Sequence, residues 1–196
     1  MARAQPETPA EILAAAGRRF AVTGYKGTSL QDIAREVGVS KATVLYHFAN
    51  KEALLGELMA PAIAALRELD DRFTGLRGTD AQRVAGEGFV DLSVHFRREI
   101  ALLRGEFPNL LQHPAFASVH QISERLITAL AGHSTRPAAR VTALVVLAGI
   151  AETCGEFDDI ADDELREALL GFIRRALETP QPTPPPSDSP TIEENI

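Results

Sequence analysis

From Val37 to Lys51 the chain carries no carboxylate, yet this stretch holds two of its three lysines, Lys41 and Lys51, together with Thr43, Tyr46 and His47. That set suits a polyanion. Ammonium groups act as counter-charges to phosphate, and hydroxyl and imidazole groups reach phosphates or base edges. Ala42 adds a methyl group small enough to approach a thymine methyl. Lys41 and Lys51 each open a helical pattern, where free backbone amides already favour phosphate. No other constellation carries comparable chemistry. Glu156, Asp158, Asp159, Asp162, Asp163 and Glu164 lack the alternating ligands, central Gly and closing Glu of a calcium loop. They suit a helix start, with Arg174 and Arg175 complementing its other end. His95, His113, His120 and His133 share no metal-ligand spacing. Cys154 stands alone after an apolar helix, which suits core or cavity lining more than redox sensing. No Ser-His-Asp set, Gly-rich phosphate loop or carboxylate pair occurs in a catalytic context. Catalysis, a bound metal and a cofactor are therefore not expected.

The elements that must position these side chains read as helices throughout. Thr8-Pro9-Ala10-Glu11 starts a helix reaching about Val22, with Ile12, Leu13, Ala16 and Phe20 inward and Gly24 as its end. Ser29 caps a short helix with Leu30, Ile33, Ala34 and Val37, stopped by Gly38. Ser40 caps a second from Lys41 to Phe48. The Gly38-Val39-Ser40 turn between them is tight, and Gly38 supplies the positive backbone angle it needs. Two short helices around such a turn form a helix-turn-helix, whose second helix enters the DNA major groove. Asn50 caps a longer helix containing Leu54, Leu55, Leu58 and Met59, which Pro61 is expected to bend or divide.

Residues 28–51, TSLQDIAREVGVSKATVLYHFANK, resemble the DNA-binding signature of tetracycline-repressor-type (TetR) regulators, and the flanking helices at 8–24 and 50–73 match that layout. The close resemblance covers about the first 60 residues. Beyond them it is architectural only. It implies that the second short helix lies in the major groove and that Thr28, Lys41, Thr43, Tyr46, His47 and Lys51 touch DNA, mostly at phosphates. One departure is visible: the family usually has Tyr where this chain has Leu45, and Tyr46 falls at a variable position.

The remainder is helical too. Thr79-x-x-Gln82 reads as a capping box before Val84, Ala85, Gly88, Phe89, Leu92 and Phe96. Ile100, Leu103 and Phe107 form a short helix ending before Pro108. Pro114 starts another, with Val119, Ile122, Leu126, Ile127 and Leu130, closed by Gly132. A helix from about Pro137 is apolar nearly all round between Val141 and Ala151, so burial on most sides is expected. The last, from Asp162, presents Leu165, Ala168, Leu169, Phe172, Ile173, Ala176 and Leu177. Residues 179–196 hold six of the twelve prolines and no Lys or Arg, the composition of a disordered tail.

Composition bounds the rest. The chain has 196 residues and a net charge of −7, but its first 50 carry six Lys/Arg against four Asp/Glu, leaving 14 against 23 elsewhere. This is a small basic head on an acidic body. No uninterrupted apolar run approaches about 18 residues, and Met1 to Thr8 lacks the apolar segment of a signal peptide, so a cytoplasmic protein with no membrane partner is expected. The fold class is all-α. The divisions are 1–51 as helix-turn-helix head, 52–178 as ligand-binding and dimerisation body, and 179–196 as tail. The functional reading is a one-component repressor that binds double-stranded operator DNA as a homodimer through about 137–178. A small-molecule effector would release it from a pocket of Phe89, Ser93, Phe96, Leu103, Arg104, Phe107, Phe116 and His120. The rival reading is a helical carrier or enzyme that uses the helix-turn-helix only as scaffold. Sequence readout falls to Ala42, Thr43 and Tyr46. Thr43→Ala is therefore expected to weaken operator binding selectively, by about 1–3 kcal/mol for a good base contact. Fluorescence anisotropy on operator and random duplexes checks this, and an equal loss on both would remove Thr43 from the readers.

Overall fold

The computed structural model describes residues 9–102 and 116–177, and these contain helices and turns but no strand. The elements are α1 (Pro9–Gly27), α2 (Leu30–Val37), α3 (Lys41–His47), α4 (Lys51–Phe73), α5 (Gly78–His95), α6 (Arg97–Leu102), α7 (Ala117–Leu130), α8 (Pro137–Glu156) and α9 (Asp162–Leu177). Helices α1 to α3 and the start of α4 make the head. There Ile12, Ala15, Ala16, Phe20, Ile33, Ala34, Val44, Phe48, Leu54 and Leu55 are buried together. The body is built around α5, which packs against α4, α7, α8 and α9.

Several boundaries differ from the sequence reading. Gly24 does interrupt α1, at φ 74° and ψ 162°, but helix resumes through Tyr25 to Gly27. Pro61 does not divide α4, which runs from Lys51 to Phe73 as one element. The first turn of a helix tolerates Pro best, yet a long amphipathic helix held on both sides by tertiary packing absorbs one lost backbone bond. The Thr79-Gln82 capping box does not form: α5 starts at Gly78 with no side-chain cap. Gln82 instead donates to the Leu130 carbonyl at 3.1 Å, satisfying a group at the end of α7. Helix α7 begins at Ala117, while Pro114, the continuation of α6 through Leu103 and Phe107, and the tail at 179–196 lie outside the described residues.

The largest correction concerns α8. Only Ala143, Val146, Ile150 and Cys154 are buried on it. Val141, Leu144 and Val145 remain 61%, 53% and 58% exposed. On α9 the buried residues are Leu165, Leu169 and Ile173, while Phe172 is 41% exposed. The chain by itself thus covers one face of each helix, leaving apolar residues outward on α8 and Phe172 outward on the otherwise largely charged exposed side of α9. The expectation that nothing could span a membrane rested on uninterrupted apolar runs. By length and composition, α8 passes that test, with a mean hydropathy of 1.4. It also carries Arg140 and Glu152 along its length, and its inner face packs on α5, α6, α7 and α9.

Polar ties lock the body helices. Arg125 on α7 forks onto both carboxylate oxygens of the buried Asp70 on α4. Arg97 at the start of α6 donates to the carbonyls of Ile160 (2.7 Å) and Phe157 (3.3 Å) and pairs with Asp162 at 3.1 Å. It so pins α6 to the turn between α8 and α9. The α4–α5 crossing depends on Gly88, where an added Cβ would lie 2.3 Å from Leu69 Cδ1. Gly88→Val is therefore expected to destabilise the chain by about 1–3 kcal/mol through overpacking. Gly56→Ala, at a helical site with nothing within 4 Å of the new Cβ, is expected to stabilise it by about 0.5–1 kcal/mol. Urea denaturation of the two variants checks the opposite signs.

Candidate nucleic-acid interface and body cavity

The helix-turn-helix is assembled from caps inward. Ser29 accepts from the Asp32 amide at 3.2 Å, and the Asp32 carboxylate accepts from the Ser29 amide (3.1 Å) and hydroxyl (2.6 Å), a closed capping box at the start of α2. Gly38 ends α2 at φ 83°, and its amide and that of Val39 both donate to the Ala34 carbonyl at 2.9 Å. Ser40 then caps α3 by accepting from the Thr43 amide at 3.0 Å. Ile33, Ala34 and Val44 are fully buried at the crossing. From α1, Arg18 and Arg19 both donate to the Glu36 carboxylate on α2.

These contacts hold two carboxyl groups below their ordinary range: Asp32 chiefly through the Ser29 hydroxyl, and Glu36 chiefly through Arg18. Because the folded values are depressed, what these contacts contribute is complete above the ordinary carboxylate range. It is lost as pH falls through the folded values.

The recognition face separates into outward and inward residues. Lys41, Ala42, Tyr46 and His47 are exposed, Tyr46 at 85%, and the Tyr46 ring packs edge-on against His47 with centroids 5.1 Å apart. Leu45 is 41% exposed on the same short helix, an apolar surface the sequence reading did not assign. Thr43 is half-buried, and its hydroxyl shares a 2.9 Å hydrogen bond with Ser40, so it serves the cap as well as any outside partner.

Two expected DNA contacts are placed differently. Thr28 is buried, its hydroxyl donating to the Gly24 carbonyl at 2.9 Å and lying 2.7 Å from the Thr23 hydroxyl. The reason is the break at Gly24: the freed carbonyl needs a donor, and Thr28 reaches it. Lys51 donates to the carbonyls of Tyr25 (2.7 Å) and Thr28 (2.9 Å), with its ammonium 4.2 Å from the Tyr25 ring centroid. It ties the start of α4 to the end of α1, leaving one of its three N–H groups for anything outside. The sequence signal for this clamp was a lysine beside an Asn cap, and nothing local told it from a phosphate ligand.

In the body, residues of α4, α5, α6, α7 and α8 line a cavity of about 500 Å³ that is open to solvent on one side. Phe89, Phe116 and His120 line it, joined by Met59, Ile63 and Leu66 of α4 and Leu144 and Leu147 of α8. Ser93 does not line it. That residue is fully buried, and its hydroxyl finds no partner among the described residues. Phe96 also turns away, packing against His95 with ring centroids 4.6 Å apart. Leu103, Arg104 and Phe107 lie outside the described residues. The wall from α4 was legible in its own spacing, since Met59, Ala62, Ile63 and Leu66 recur at three- and four-residue intervals on one helix face. Cys154 is buried, and burial pushes its thiol up to about 11, against the opposing influence of Arg97. It stays protonated at neutral pH and inert. Among the described residues no His, Cys, Asp or Glu cluster could hold a metal.

A capped helix-turn-helix carried on a helical body is the arrangement by which one class of proteins reads DNA. Residues 12–58 match the family model of bacterial regulatory proteins, tetR family. Over 60 residues the chain is 45% identical to the HTH-type transcriptional regulator RutR of Escherichia coli K12, a match covering 31% of this chain and 25% of that one. It thus spans about a quarter of the length of the curated relatives it matches. Across most of its length it superposes on SCO3833, a TetR-family member from Streptomyces coelicolor, with a TM-score of 0.66, 18% identity and coverage of 91% and 94% of the two chains. Mycobacterium smegmatis AmtR gives a TM-score of 0.58 at 22% identity, covering 88% and 89%. The head belongs to the tetR family of bacterial regulatory proteins, and the chain as a whole has the fold of that family's members.

The clamp makes a prediction about stability. Lys51→Ala removes two charge-assisted hydrogen bonds and is expected to destabilise the protein by about 1 kcal/mol. Lys41→Ala, at an exposed residue, should leave stability unchanged. Chemical denaturation followed by far-ultraviolet circular dichroism reads the difference, and equal stabilities would remove the structural role of Lys51.

Proposed function

We propose that the chain is a one-component transcriptional regulator, a repressor that binds operator DNA through α3 and leaves it when a small molecule fills the body cavity. The head is 1–51 and the body 52–178. The observation that carries the reading is the exposed, carboxylate-free face of α3, with Lys41, Ala42, Tyr46 and His47 outward on a helix held by caps at both its own start and that of α2. Lys41 supplies phosphate charge. Ala42, Tyr46 and Thr43 face base edges, with Leu45 offering an apolar contact to thymine methyls. Lys51 adds its remaining N–H, and Thr28 supports the loop from inside.

A homodimer supplies the second head. The outward apolar residues of α8 and Phe172 of α9 meet those of a second copy, a patch of the kind obligate interfaces bury. Two heads then sit on half-sites about one DNA turn apart. The cavity shares α4 with the head, because Met59, Ala62, Ile63 and Leu66 line it and the same helix starts at Lys51. A ligand that spreads these walls favours a dimer geometry unsuited to the operator.

Anisotropy with DNA from upstream of the protein's own gene, across a salt series, tests the reading. The wild type should prefer that DNA over random sequence. Lys41→Ala should flatten the salt dependence by about one unit of slope on both. Sedimentation should give a dimer at micromolar concentration, and Phe172→Asp should give a folded monomer with weaker operator binding. Leu169, which the monomer itself buries, would not make that distinction. Lack of any sequence preference by the wild type would favour a carrier or enzyme that keeps the helix-turn-helix as scaffold.

A further inference from the structure

The cavity is deep on one side and shallow on the other. Met59, Ala62 and Leu66 of α4 and Phe89 of α5 line it and are buried. None of the α8 residues that line it is buried, and Leu144 and Ala148 are exposed. On the opposite bank, His120 and Glu124 of α7 are exposed as well. The mouth is therefore the gap between α7 and α8. Its α8 bank is continuous with the outward residues of that helix. Val141, Leu144, Val145 and Ala148 follow one another at the three- and four-residue spacing that makes one helix face. Whatever covers Val141 and Val145 also reaches the mouth.

The shape of this face suits a second copy of itself. Val141, Leu144 and Val145 make a bulky end, and Ala148 and Gly149 a low one, where an added Cβ at Gly149 meets nothing within 4 Å. Two copies related by a two-fold axis run their α8 helices in opposite directions, so each bulky end rests on the other's low end.

Resting on the reading of the chain as a homodimer that holds its effector in this cavity, we infer that the effector site is shared between subunits. The second copy's α8 closes the mouth beside Leu144 and Ala148, and the site of a single chain is incomplete. The consequence is linkage. An apolar ligand buries more of its surface in the dimer than in one chain, so it binds the dimer more tightly. By the same factor per site it holds the two copies together. Covering about 40 Å² more of such a ligand is worth about fivefold in affinity.

Thiol labelling of the full chain reads the mouth without a ligand. Cys154 is buried and its thiol is pushed up to about 11, so the thiol introduced by Leu144→Cys is the one N-ethylmaleimide reaches first. Where sedimentation shows a dimer, labelling should be about tenfold slower than in the same variant carrying Phe172→Asp. Ala148→Cys repeats the reading with a smaller change. Val145→Asp, at an exposed residue outside the cavity lining, supplies a second monomer. N-phenylnaphthylamine, a neutral apolar dye that brightens out of water, then reads the site itself. It should bind the wild-type dimer about fivefold more tightly than either monomer, and lower the concentration at which the dimer dissociates. A dimer whose thiol labels as fast as the monomer's would overturn the inference and leave the homodimer reading standing. Equal dye affinity in dimer and monomer, or no dye bound by either, would overturn it as well. A wild type that sediments as a monomer would remove the homodimer reading and this inference with it. Operator preference, measured by anisotropy on the same protein, tests the regulator reading separately.

Discussion

The whole body depends on how closely its neighbours can approach α5. This helix carries Ala81, Ala85, Gly86 and Gly88 among its buried residues, so α4 and α9 can press their side chains almost onto its backbone. Leu69 occupies the space that a Cβ at Gly88 would need, and Ile173 comes within 3.1 Å of one at Gly86. A chain with no Trp and 6% aromatics has few large side chains with which to fill a core. Close backbone approach is its other route to dense packing. Where the small face of α5 gives way to Phe89 and Leu92, the helices spread and the cavity opens.

The position of the head follows from the same crossing, because α4 belongs to both parts. Its C-terminal half is locked by Leu69 against α5 and by Asp70 against Arg125 of α7. Its first residue holds the end of α1 through Lys51. Helix α3 has only seven residues, too few to persist alone. It exists because Val44 is buried against α2, Ser40 caps its start, and α4 begins immediately beyond. Helix α3 packs on α2, α2 on α1, and α1 on α4, so the proposed route from cavity to recognition helix runs through α1 and α2.

Helix α8 joins two environments. Its inner face, with Ala143, Val146, Ile150 and Cys154, belongs to the body core. Its outer face exposes Val141 and Val145, while the exposed Leu144 opens onto the cavity. A helix apolar all round must be covered all round, and within one chain it is covered on one side. In the proposed dimer the remaining face is buried by its counterpart and by α9, with Phe172 at the seam. The same composition makes α8 long and apolar enough to span a bilayer, although Arg140 and Glu152 would be costly there.

Much of the head was legible from residues alone, because local interactions decide it. Ser29, Ser40 and Asn50 are caps wherever a helix starts beside them, Gly38 takes the left-handed turn, and Ile33, Ala34 and Val44 face inward by helical spacing. The outward set Lys41, Ala42, Tyr46 and His47 follows from the same periodicity. What the sequence could not decide was which polar groups would meet across distance. Thr28 and Lys51 looked like phosphate ligands; in the fold Thr28 meets the Gly24 carbonyl where α1 breaks, and Lys51 meets the Tyr25 and Thr28 carbonyls at and just past the end of α1. Thr79 looked like a cap, but α5 starts ahead of it and Gln82 is drawn to the end of α7. Ser93 lay on the right helix but the wrong face, and Phe96 just past its end, since the cavity's position is set by where α4 and α8 cross α5. Periodicity tells which residues share a face, and only the packing of several helices tells what that face meets. Local hydrogen bonds and spacing therefore wrote the helices and the recognition face into the sequence, while the clamp, the cavity and the uncovered side of α8 came from contacts between residues tens of positions apart.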